Sequence, residues 1–267
     1  MEYADKIFDY MPASYQSQNE GNYIDLIWRF FSDNYEKENW DLCYLSYHQL
    51  FMGVFYFKIF QLKQANPKEY AKIEIRLKKI NNKHSPFGFS EIGEADFIKN
   101  LIHLDLSKDK IGQYKAKLDT RNEIPHFNGK IEVNSEQKLE IYINEYLSHC
   151  QDVQQASKND VIAIYKDFLQ NTVEQRYSSE IQESAMEQSA KYIPESKELI
   201  ELYPDAESQV KEVLIKQNYF SLKDIETCTK QDFSNLFPDN DKKILLQEYH
   251  SALGVYYEGN NTLDLMD

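Results

Sequence analysis

The chain has little of what bends, staples or anchors a polypeptide. Eight glycines and seven prolines in 267 residues leave few sites for tight turns, which disfavours a sheet-rich fold and suits long helices. Three cysteines, Cys43, Cys150 and Cys228, stand far apart with no Cys-x-x-Cys among them. A disulfide framework is therefore not implied, and a reducing compartment is the simplest setting. The longest apolar run, Leu50 to Phe57, falls well short of the roughly 20 residues that a spanning helix needs. Met1 to Tyr10 carries Glu2, Asp5 and Asp9 and no basic, apolar leader, so a cytoplasmic location without membrane attachment is expected. Glycine-built phosphate cradles are missing, as are His-Glu-x-x-His and any Cys/His set at ligand spacing. No metal and no cofactor is expected.

What is present is apolar surface and acid. Hydrophobic residues make up 42% of the chain, enough to bury a core and to exclude disorder as the general state. Net charge is −14, which disfavours indiscriminate nucleic-acid binding. The charge is unevenly placed. Residues 1–57 are net −6 and residues 131–267 net −14, whereas residues 58–130 carry 15 basic and 9 acidic side chains, net +6. Lysines on solvated helix faces would account for that basic stretch by themselves.

Apolar residues recur at helical spacing along most of the chain, which predicts an all-α fold. Tyr23–Tyr35 has Ile24, Ile27, Trp28 and Phe31 on one side. Trp40–Lys63 is apolar nearly all round and should lie at the centre of a bundle. Pro67 opens the next helix at the position proline tolerates. Asn81–Gly93 reads as a loop by its Asn, Pro and Gly content, and Glu91–Leu106 as a helix. Ser107 should cap a helix over Lys108–Thr120, and Ser135 one over Glu136–Cys150. The polar stretch Gln151–Asn159 suggests a hinge, and a long helix should run from Asp160 to about Ala190. Pro194 and Pro204 interrupt the chain beyond that helix. Ser221 with Asp224 and Thr229 with Asp232 fit the capping-box pattern. The last helix comes after Pro238, and the tail from Glu258 should be loose. Two units are expected, a helical bundle over residues 1–155 and a smaller helical module over residues 156–267.

Most candidate chemistry can be set aside. His149 and Cys150 are adjacent, and neighbours on a helix point about 100° apart, a poor arrangement for a nucleophile and its base. His48 sits in the most apolar helix and reads as a core histidine with a satisfied ring. One segment remains, Lys117-Leu-Asp-Thr-Arg121-Asn122-Glu-Ile-Pro125-His126. In an unbroken helix, Arg121 and His126 would lie about 140° apart. Pro125 cannot donate to the carbonyl of Arg121 and its ring clashes there, and proline pushes the residue before it, Ile124, away from the helical region. The two side chains can then turn toward one cleft. A histidine titrates near neutral pH and can move a proton, while an arginine grips a phosphate through a charged fork. The pair suits RNA cleavage by the strand's own 2′-hydroxyl, with Asn122 orienting the imidazole or a phosphate oxygen. Lys115, Lys117 and Lys130 are the candidate contacts to the RNA backbone.

At these residues the sequence resembles the HEPN family (higher eukaryotes and prokaryotes nucleotide-binding domains), whose helical bundles carry an Arg followed four to six residues later by a His, very often with Asn directly after the Arg. Here those positions are Arg121, Asn122 and His126, and the resemblance covers roughly residues 20–155. It implies a metal-independent endoribonuclease, of the toxin or antiphage-effector kind. It also implies a homodimer in which two motifs face one composite cleft. Family toxins silenced by a nucleotidyltransferase partner have Tyr two residues after the His. This chain has Asn128 there, so that mode of control is not implied. The acidic C-terminal module would then serve an antitoxin or sensor protein. Two other readings use the same residues: a non-catalytic helical adaptor that keeps the fold, or an Arg121 that merely caps a helix C-terminus in an unrelated protein.

Overall fold

The computed structural model describes residues 2–77, 85–124, 131–165, 167 and 218–229. These residues are 82% helical and contain no strand, so the fold is all-α. In chain order the helices are α1 (Glu2–Asp5), α2 (Gln18–Glu36), α3 (Trp40–Ala65), α4 (Pro67–Arg76), α5 (Glu94–Ile98), α6 (Lys108–Glu123), α7 (Glu136–Ala156) and α8 (Leu222–Thr229). Short 3-10 helices cover Lys6–Asp9, Pro86–Glu91 and Lys99–Leu104.

The helix starts follow the side chains that the sequence offers. Ser17 accepts from the Glu20 amide and Glu20 reaches back to the Ser17 amide, a complete capping box for α2. Asn66 caps α4 just ahead of Pro67. Ser107 and Ser135 accept from the amides of Lys110 and Lys138 and so begin α6 and α7 where expected. Ser221 and Asp224 form the predicted reciprocal pair at α8, at 3.0 and 3.1 Å. Thr229 with Asp232 and the last helix lie outside the described residues, as do the loose tail and the breaks at Pro194 and Pro204.

Because α3 is apolar on every side, it cannot be satisfied at a surface. It runs through the middle, with α2 and α7 along it and α6 against it through Tyr44, Phe51 and Phe55. Aromatic rings fill the space between: Phe51 lies 4.4 Å from both Phe55 and Tyr146, and Phe55 lies 5.3 Å from Tyr114. Buried tyrosines need partners for their hydroxyls. Tyr47 donates to the carbonyl of Ala4 at 3.0 Å, and Tyr44 to that of Lys117 at 3.2 Å. The second bond fixes the height of α6 against α3.

Three local expectations are corrected. The stretch Glu91–Leu106 is not one α-helix. It is the short α5 and then a 3-10 turn, because Asn100 donates to the carbonyl of Asp96 at 2.8 Å and competes with the regular ladder. Gln151–Asn159 is not a hinge: α7 continues to Ala156, and the Val161 amide still reaches the Ser157 carbonyl at 3.0 Å. The polar residues that suggested a hinge serve a buried network, in which Gln154 donates to Asp224 at 2.7 Å. Of the helix expected from Asp160, residues 160–165 are helical and the remainder lies outside the described residues, apart from helical Asp167. Ile124 keeps helical angles, φ −61° and ψ −49°, against the expectation for a residue before proline. That preference is steric bias rather than prohibition, and the final turn of α6 holds the residue.

Residues 218–229, expected in the second unit, are joined to the bundle. Asp224 is fully buried and accepts from Lys58, Gln61 and Gln154, while Tyr219 stacks on Phe57 at 5.4 Å. The Ala13 amide donates to the Phe220 carbonyl at 2.9 Å.

Candidate functional site

Arg121 lies in the last turn of α6, with its side chain 36% exposed. Its Nη1 donates to Oδ1 of Asn122 at 3.0 Å, and its Nη2 donates to Oε1 of Glu94 at 3.5 Å. The expected neighbour Asn122 is therefore in contact with the guanidinium. His126 and Lys130, with Pro125 and the Asn128-Gly129 turn, lie outside the described residues.

Glu94, the first residue of α5, was singled out by nothing in the sequence. Its second oxygen meets Nε2 of His48 at 3.3 Å, and Nδ1 of His48 meets the Tyr146 hydroxyl at 2.9 Å. His48 is fully buried, as its place in an apolar helix suggested, and both ring nitrogens have partners. A carboxylate only accepts, so Nε2 carries a proton and donates to it. Nδ1 accepts from the Tyr146 O–H when the ring is neutral and donates to the Tyr146 oxygen when the ring is protonated. Burial pushes the Glu94 carboxyl up, but the His48 hydrogen bond and the charges of His48 and Arg121 outweigh it, and the group is held below the usual carboxylate range. The result is a line of contacts, Tyr146–His48–Glu94–Arg121, running from the core to the surface.

Arg121 and Glu94 border a cleft of about 510 Å3 between α2, α3 and the Pro86–Glu91 turn. Its walls carry Tyr23, Tyr56, Phe57 and Phe87. Burial, with Glu94 adding and Arg121 partly opposing, raises the Tyr56 phenol above its ordinary value, so it is a donor at neutral pH. The missed signal was His48: a histidine in an apolar helix implies a polar partner from another element, and that partner leads to Arg121.

The lysines divide. Lys117 is paired with Glu145, lies 5.1 Å from the centre of the Tyr142 ring, and is only 12% exposed. It packs α6 against α7. Lys115 is half-buried and forms no ion pair among the described residues. It stands about 120° round α6 from Arg121.

His149 and Cys150 are both buried. Burial, reinforced by the Lys117 charge, pushes His149 down to about 4, and its ring lies 4.6 Å from that of Tyr114. Burial raises the Cys150 thiol, and likewise Cys43 to about 12. Neither thiol supplies a thiolate nucleophile near neutral pH. Among the described residues no three His, Cys, Asp or Glu side chains are grouped to hold a metal ion, and no helix is long and apolar enough to cross a membrane. No protein-family model, no curated protein and no solved structure matches the chain.

Proposed function

We propose that this chain is a metal-independent endoribonuclease of the HEPN kind, with Arg121 and His126 as its catalytic residues and Asn122 in support. The observation that carries the reading is the state of Arg121. Its guanidinium is exposed enough to meet a phosphate, is held by side chains on two sides, and stands at the lip of an aromatic-walled cleft.

The chemistry needs no external nucleophile. The ribose 2′-oxygen attacks the adjacent phosphorus while a base takes its proton. The bond from phosphorus to the 5′-oxygen breaks, and that oxygen receives a proton. The products are a 2′,3′-cyclic phosphate and a 5′-hydroxyl. His126 moves protons, since imidazole exchanges them near neutral pH. Arg121 offsets the negative charge that builds on the non-bridging oxygens. One His cannot be both base and acid at the same instant, so two chains related by a two-fold axis would supply the second. The chain would act in the cytoplasm, against RNA, with its acidic C-terminal portion open to an antitoxin or sensor protein.

The Arg121–Glu94 contact also suits the adaptor reading, in which the arginine only ties α6 to α5. Incubating RNA with the full chain in EDTA separates the two. The ribonuclease reading expects cleavage by the wild type and its loss in both Arg121→Ala and His126→Ala. Equal behaviour of all three proteins rejects it.

A further inference from the structure

The cleft beside Arg121 has a composition that gripping a phosphate does not require. Building on the ribonuclease reading, we infer that it seats one nucleobase of the RNA strand next to the phosphate on Arg121, and that it favours bases carrying an exocyclic amino group.

Size comes first. A volume of about 510 Å3 falls within the roughly 300–1,000 Å3 of small-ligand sites. It holds a base with part of its sugar and cannot hold a strand. The walls come second. Phe87 meets Tyr23 edge-on at 5.8 Å and Phe57 edge-on at 5.7 Å. Tyr56 is fixed edge-on against Phe97 at 4.7 Å. These rings are braced by one another before any ligand arrives. Tyr23 nevertheless remains 48% exposed, a large aromatic left at the mouth where a base can stack on it.

Charge decides which part of a nucleotide enters. Two carboxylates, Glu20 and Glu94, line the cleft. A phosphate or a fatty acid headgroup would be repelled inside, whereas a neutral base would not. Glu20 is already saturated: it accepts from Ser85, Tyr219 and the amides of Gln16 and Ser17. Glu94 is different. Each of its oxygens has one long contact, at 3.3 and 3.5 Å, so lone pairs remain for N–H donors. Adenine, guanine and cytosine present an amino group; uracil presents a single ring N–H between two carbonyl acceptors. The guanidinium at the lip then meets the phosphate outside. Negative interior, positive lip and aromatic walls match base, phosphate and ring in the order in which a nucleotide carries them.

The test uses Tyr23→Trp in the full chain, which places a fluorophore at the mouth beside the two native tryptophans. Adenosine and cytidine should quench it saturably, uridine should bind roughly tenfold more weakly, and ribose 5-phosphate should not compete. The RNA arm uses oligouridine carrying a single A, C or U at the cut position. Tyr23→Ala should raise KM roughly tenfold for every base, more than it lowers kcat, consistent with the loss of one stacked base, and Glu94→Gln should erase the preference for A and C. Tyr23→Trp should restore KM. Absence of saturable quenching, or equal quenching by ribose 5-phosphate, overturns the inference even if RNA is cut. Quenching by nucleosides with no RNA cleavage by the wild type instead defeats the ribonuclease reading, and overturns the assignment of the cleft to an RNA strand in favour of a free nucleoside.

Discussion

Glu94 joins Arg121 to His48: one carboxylate oxygen accepts from the guanidinium at 3.5 Å and the other from the His48 ring at 3.3 Å. The histidine belongs to the central helix and is fully buried, while the arginine sits at the end of α6 and faces solvent. The orientation of the Arg121 guanidinium is thus tied to the interior of the bundle.

Loosening that link should cost activity without unfolding the protein. Glu94→Ala is expected to lower RNA cleavage by about ten- to a hundredfold, the scale of a misplaced catalytic group, with its helical circular dichroism retained. Glu94→Gln keeps an acceptor for Arg121 and should lose less. The sign of the pH effect comes from the carboxyl being held low in the fold. The stabilisation is present above the unfolded pKa of about 4.3 and is lost as pH falls through the lower folded value. Wild type should therefore lose stability faster than Glu94→Gln below about pH 4.

His149 titrates the other way. Its folded pKa is about 4 against roughly 6.5 for the unfolded chain. The unfolded state takes up the proton first, so stability is full above pH 6.5 and falls as pH drops from there to 4. The decline attributable to this one ring is at most about 3 kcal/mol. Urea titrations of His149→Phe across that interval should show a flatter profile than the wild type.

Lys58 and Asp224 form an ion pair 1% and 0% exposed, and Asp224 also receives Gln61, Gln154 and the Ser221 amide. Removing Lys58 leaves a buried carboxylate without its charge partner. Lys58→Met should cost about 3–5 kcal/mol, and adding Asp224→Asn should recover much of that. Fluorescence and circular dichroism should report one shared transition for the wild type, since residues 218–229 are built into the core around α3.

Lys115 and Lys117 should separate cleanly. Lys115→Ala should flatten the dependence of RNA binding on log salt concentration by about 0.7, the contribution of one phosphate contact to a single strand. Lys117→Ala removes the pairing with Glu145 and the packing on Tyr142 and should destabilise the fold by about 0.5–3 kcal/mol, leaving the salt slope unchanged.

The sequence was legible where one side chain decides one feature. Ser107, Ser135 and the Ser221–Asp224 pair each announce a helix start, and the all-round apolarity of α3 announces its central place. It was opaque where polarity serves a partner distant in the chain. Gln154 looked like part of a hinge because its acceptor, Asp224, is 70 residues away. Glu94 looked like one acid among many because His48 and Arg121 meet it only in three dimensions. Lys117 looked like an open cation because Glu145 lies on the next long helix. The motif pointed to Arg121 and Asn122, which are in contact; the cleft beside them is assembled from α2, α3 and a 3-10 turn, and no local spacing encodes it.

The central claim is that Arg121 and His126 direct a 2′-hydroxyl onto its own phosphodiester. The ends of the fragments test it most directly. Labelled RNA cut by the full chain in EDTA should carry 2′,3′-cyclic phosphate and 5′-hydroxyl ends, and a single 2′-deoxy substitution at the cut position should abolish that cut. Fragments ending in 3′-hydroxyl and 5′-phosphate, or undiminished cutting at the deoxy position, would contradict the account.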